Sequence, residues 1–114
     1  MDQSGWVSVR CVFRSLHGED QVYEERVTLW QAPDAETAIT LAEQEAREYA
    51  ATVNGPPGWP TQYIGLAQAY LLVDSPSHGA EVFSLMRCST LDSETYLDVC
   101  FDSGTERQRL VDGQ

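Results

Sequence analysis

Two long alternating segments, residues 6–16 and 21–31, stand either side of a four-residue polar turn and run into an alanine- and glutamate-rich stretch at 35–53. Alternation of apolar and polar side chains marks a strand with one buried face. Val7, Val9, Cys11 and Phe13 fall on one side of the first segment, with Ser8, Arg10 and Arg14 on the other. In the second segment Tyr23, Val27 and Leu29 oppose Glu24, Arg26 and Thr28. His17-Gly18-Glu19-Asp20 supplies hairpin chemistry between them. Matching apolar face to apolar face sets Val9 opposite Leu29, Cys11 opposite Val27 and Arg14 opposite Glu24. A slip of one residue would set Cys11 against Arg26 and bury a charge. The outer face then carries an ion-pair ladder, with each pair contributing about 0.3 kcal/mol.

The spacing predicts a helix over 35–53. Asp34 is the N-cap and Glu36 suits the positive end of the helix. Ala35, Ala38, Ile39, Ala42, Ala46, Tyr49, Ala50 and Val53 form one stripe at three- and four-residue steps, and the small alanines imply close approach to a sheet. Glu43 and Arg47 make an i,i+4 pair on the other side. Asn54-Gly55 ends the helix, and residues 55–60 form a stiff proline-rich loop. Residues 62–73 read as a third strand, 81–88 as a fourth and 93–102 as a short second helix, with 105–114 a frayed tail. The expected fold is therefore α+β, in the order β-β-α-β-β-α. It is a four-stranded, mainly antiparallel sheet of order 2-1-3-4, with the long helix on one face, in a single domain covering residues 1–114.

A length of 114 residues suits one core, and 42% apolar content is ordinary for a globular chain. The net charge of −11 opposes the counterion release on which nucleic-acid binding depends, and disfavours anionic membranes. It favours a basic protein partner, although keeping the chain soluble is the simpler explanation. All seven basic residues are arginine, which removes lysine Schiff-base chemistry. The first five residues lack the basic and apolar parts of a secretory signal, so the expected location is cytoplasmic, with Cys11, Cys88 and Cys100 as free thiols.

No catalytic set is legible. His17 and His78 fall in turns at opposite ends of the expected sheet, the cysteines lack zinc spacing, and no base stands near a thiol to activate it. Glu24 and Glu25 are adjacent on a strand and point to opposite faces. Prolines in the 55–60 loop remove the amides a phosphate nest needs. No cofactor and no metal are expected. The candidate binding residues are Trp6, Trp30, Arg10 and Arg26 on the expected outer face, and Trp59 as a lid or interface anchor. Glu25 and Tyr23 stand at the open end of the core. Glu94, Asp98 and Asp102 form an acidic stripe on the second helix. For Glu25 and the acidic stripe, solvation is the simpler alternative; for Trp59, packing onto the domain's own core is an equal one.

Four pieces, Trp6-Val7-Ser8-Val9-Arg10, Tyr23-Glu24-Glu25-Arg26-Val27-Thr28-Leu29, Ala42-Glu43-Gln44-Glu45-Ala46 and Tyr63-Ile64-Gly65 with Tyr70, resemble an uncharacterised bacterial family of small proteins classed as a domain of unknown function. The resemblance runs to about Cys88. It implies a bacterial α+β domain and carries over no catalytic residue.

Three functional expectations follow. The first is a non-catalytic, acidic interaction module, of immunity or regulatory type, acting on a basic protein. The second is a small-molecule binder or modest enzyme with a pocket among Tyr23, Glu25, Tyr49, Tyr63, Tyr70 and the Trp59 loop. The third is a homodimer through sheet edges or the outer face, covering Trp6 and Trp30.

Overall fold

The computed structural model describes residues 5–53 and 60–101. Strand β1 (Gly5–His17) and strand β2 (Asp20–Ala32) form a hairpin, helix α1 (Ala35–Val53) crosses back, and strand β3 (Thr61–Leu71) returns along β1. The sheet is antiparallel with order β2-β1-β3. This reproduces the first three positions of the expected order. The chain divides into two compact units after Ser84.

A two-residue loop, Gly18-Glu19, closes the hairpin, with Gly18 at φ 68°; among the described residues only glycines have positive φ. Glycine at the first central position is the type II′ requirement. The register then follows without interruption from His17↔Asp20 to Gly5↔Ala32. It is one residue away from the apolar-to-apolar register. Cys11 faces Arg26, Val9 faces Thr28 and Arg14 faces Tyr23. The turn outweighs the pattern because β2 is an edge strand. Its buried side needs few apolar groups, and the charge set against Cys11 is neutralised by the helix.

Val7, Val9, Cys11 and Phe13 of the central strand are buried against Ala38, Ala42, Ala46 and Ala50 of α1, with Ala32 at the rim. The i,i+4 alanine row lets the helix lie close, and each buried valine or phenylalanine contributes roughly 1.5–3 kcal/mol. Asp34 caps the helix as expected: the Thr37 amide donates to its Oδ1 at 2.7 Å. Hydrogen bonding from the Thr37 side chain, and then from its amide, holds the Asp34 carboxyl below its ordinary range.

Among the described residues no fourth strand forms, and residues 81–90 have no regular structure. On β3 the register jumps between Cys11↔Ala67 and Phe13↔Tyr63, with Gly65 at φ 87° inside the bulge. That break deprives the β3 edge of a continuous ladder for another strand. Residues up to Ser84 attach through side chains instead. Phe83 lies 5.9 Å from the Tyr70 ring and 5.3 Å from the Arg10 guanidinium, and the Tyr70 hydroxyl donates to Glu81. In the second unit, helix α2 (Ser93–Tyr96) opens at once into a π-helical turn, Leu97–Phe101, which is shorter and wider than the expected helix. The tail at 105–114 lies outside the described residues.

Candidate functional site

Helical periodicity gives α1 two flanks beside its alanine row. Glu45 and Tyr49 overhang β2, and Glu43 and Arg47 overhang β3. On the β2 flank, Arg26 donates from both terminal nitrogens to Glu45, at 2.8 and 3.1 Å, and its guanidinium lies 3.8 Å from the centre of the Tyr49 ring. The bidentate bond to Glu45 raises the Arg26 pKa further. Tyr49 donates its hydroxyl to both oxygens of Glu24, at 2.8 and 3.0 Å. Burial, then the Glu24 carboxylate, pushes that phenol up.

On the β3 flank the Tyr63 hydroxyl donates to Glu43 at 2.5 Å, and the Arg47 guanidinium lies 5.9 Å from that ring. The expected Glu43–Arg47 pair is thus replaced by a shared tyrosine. Burial, followed by the bond to Glu43, drives the Tyr63 phenol well above the ordinary tyrosine range. Phe13 stands between the two tyrosines, 5.1 Å from Tyr49 edge-on and 5.5 Å from Tyr63. Cys11 beneath them is buried, and burial raises its thiol pKa, so it is a poor nucleophile. These groups bond to one another and clamp the helix astride the central strand.

The opposite face of the sheet carries a second arrangement. Arg10, largely buried, pairs with Glu25 at 3.2 Å and donates to Gln68. Arg14 donates to Gln21 at 3.2 Å and Gln62 at 3.1 Å rather than to Glu24. Ser8 is fully buried beside Arg10, and Ser8 Oγ and Arg10 Nε are buried with no hydrogen-bond partner.

The structure separates the residues expected to act together. Trp6 and Arg10 lie on the outer face, Trp6 opposite Gln31. Trp30 and Arg26 lie on the helix face, where Trp30 packs against the core and donates to Thr28 Oγ1 at 2.7 Å. The outer-face set of Trp6, Trp30, Arg10 and Arg26 is therefore corrected to a split pair, because the register placed even-numbered β2 residues inward. By the same shift Tyr23, Glu25, Val27 and Leu29 point outward, and all four are exposed. Tyr23, Glu25 and Tyr70 share the outer face, whereas Tyr49 and Tyr63 flank Phe13 on the other. Glu94 and Asp98 are exposed in the second unit. Trp59 and Asp102 lie outside the described residues. Sequence reading missed the part played by Glu24, Glu43 and Glu45 in holding the helix. The i,i+2 spacing of Glu43 and Glu45 on α1, either side of the alanine row, was the available signal.

Among the described residues no group of three or more His, Cys, Asp or Glu side chains could hold a metal ion, and no helix is long and apolar enough to cross a membrane. A hollow of about 440 Å³ lies in the second unit, lined by Arg87, Ser89, Leu91, Ser93, Tyr96 and Leu97.

The first unit defines an α+β class, a three-stranded antiparallel sheet carrying one clamped helix. Residues 6–84 match DUF4288, a domain of unknown function, and the chain belongs to that family. Neither the curated proteins nor the solved structures returned a match.

Proposed function

We propose that the protein is a non-catalytic interaction module whose acidic surface engages a basic protein partner, in the manner of an immunity or regulatory protein. The observation that supports this reading most is how the charges are distributed. The carboxylates that could serve chemistry near the core, Glu43, Glu45 and Glu24, are engaged by Tyr63, Arg26 and Tyr49. Glu19, Asp20, Glu36, Glu48, Asp74, Glu94 and Asp98 are exposed, on a chain of net charge −11. Such a surface steers cationic partners and loses its pull over about 10 Å at 0.1 M salt.

The test is capture from native lysate at low salt, followed by titration of the captured protein against the purified chain. The expected partner is basic, and its affinity falls as salt rises. An absence of any salt-sensitive partner would sink the proposal.

A further inference from the structure

The two edges of the sheet differ. The β3 edge begins after Pro60 and is broken at Gly65 by the bulge. The β2 edge runs for 13 residues with no proline, glycine or bulge, and nothing pairs with it among the described residues. An edge of that length is a template for another strand unless something protects it.

Hydrogen-bond parity shows which residues offer the template. The two-residue loop makes His17 and Asp20 a hydrogen-bonded pair, so even-numbered β2 residues bond inward to odd-numbered β1 residues. Even-numbered β1 residues turn the other way. The Trp6 carbonyl accepts from Leu72, and the Leu16 amide donates to Pro60 on the β3 side. The N–H and C=O groups of Tyr23, Glu25, Val27, Leu29 and Gln31 therefore project from the free edge.

A second copy pairing there about a two-fold axis must set odd against odd. Centring on Glu25 opposes two glutamates, and centring on Arg26 opposes two arginines and sets Glu25 on Val27. Centring on Val27 sets Glu25 on Leu29. Centring on Thr28 opposes Val27 to Leu29, Glu25 to Gln31, Arg26 to Trp30 and Glu24 to Ala32. Of these four registers, that one brings the outward Val27 and Leu29, 43% and 40% exposed, against their counterparts while opposing no like charges.

We propose that β2 pairs antiparallel with β2 of a second copy of this chain, about a two-fold axis at Thr28, joining two three-stranded sheets into one of six strands. The contact is isologous. It forms between two chains of charge −11, so added salt strengthens it, the reverse of the salt dependence expected for a basic partner.

Sedimentation equilibrium of the full chain at about 0.05 and 0.5 M salt tests this. A dimer whose dissociation constant falls with salt is expected. Val27→Pro removes an outward N–H while sparing the bonds to β1. Two hydrogen bonds are lost per dimer, and the dissociation constant rises about 10- to 100-fold. Leu29→Lys, which keeps every backbone donor, also weakens the dimer by setting a charge on Val27, with circular dichroism confirming the fold of both variants. Leu66→Lys on the opposite edge leaves it unchanged. A wild-type monomer at about 100 μM in high salt overturns the proposal, since β-strand pairing of this extent would be populated there. So does a dimer that folded Val27→Pro and Leu29→Lys leave intact.

Discussion

The unit ending at Ser84 and the stretch from Leu85 to Phe101 use apolar residues in opposite ways. In the first, Val7, Val9, Phe13 and four alanines are nearly withdrawn from water. In the second, Met86 is 92% exposed, Val99 and Phe101 are more than half exposed, and neither helical segment contains a buried residue. The family match stops at residue 84, where the compact unit also stops. Among the described residues, the buried apolar side chains thus all fall in the family domain.

The sharpest way to break this contrast is to hollow the first unit. Phe13→Ala removes the ring on which Tyr49 and Tyr63 both pack, and is expected to cost about 3–5 kcal/mol in chemical denaturation. Arg26→Ala, which takes away the bidentate bond to Glu45 and the stacking on Tyr49, is expected to cost about 1–2 kcal/mol; the pair is part-exposed, which limits its worth. Ser8→Ala should move stability the other way. Deleting a buried hydroxyl with no partner is expected to raise stability by about 1 kcal/mol.

Alkaline titration sharpens the picture of the helix clamps. Tyr49 and Tyr63 are both shifted above the ordinary value of 10.0 in the folded chain. A raised folded-state pKa contributes stability fully present below pH 10.0 and lost as pH rises through the folded value. Unfolding free energy should therefore decline above about pH 10, and tyrosinate absorbance should lag behind that of the unfolded chain. Tyr63→Phe should flatten part of that decline; an unchanged slope would mean that the Tyr63 phenol is neither buried nor bonded to Glu43 in solution. The smallest effect belongs to the second unit. Met86→Ser and Phe101→Ser are expected to change the unfolding free energy of the first unit by less than about 0.5 kcal/mol.

Much of the fold was legible in particular residues. The alanine row at 38, 42, 46 and 50, the Asp34 cap and the Gly18 turn are local signals, and each forms as read. The register of β2 was not legible, because Val27 and Leu29 advertise a buried face on the odd-numbered side, whereas the helix covers the even-numbered side. Glycine at the first loop position fixed the pairing instead, and Glu45 and Tyr49, some twenty residues away, accommodated Arg26. The fourth strand misled for a related reason: residues 81–88 have strand-like composition, but a strand needs an unbroken neighbour, and Gly65 breaks it. Of the candidate site, single residues such as Arg10, Glu25 and Tyr63 were legible as unusual, while their partners depended on which face each strand turned inward.

The bulge at Gly65 also limits how far such chains can grow. A sheet with two intact edges has a valence of two and can add copies without end, the geometry of a filament. Here one edge is interrupted, so the valence is one. Any association that uses the open strand consumes it, and growth halts at a pair. A substitution that restored an even ladder through Gly65 would supply the missing second valence and turn a self-limiting contact into a polymerising one.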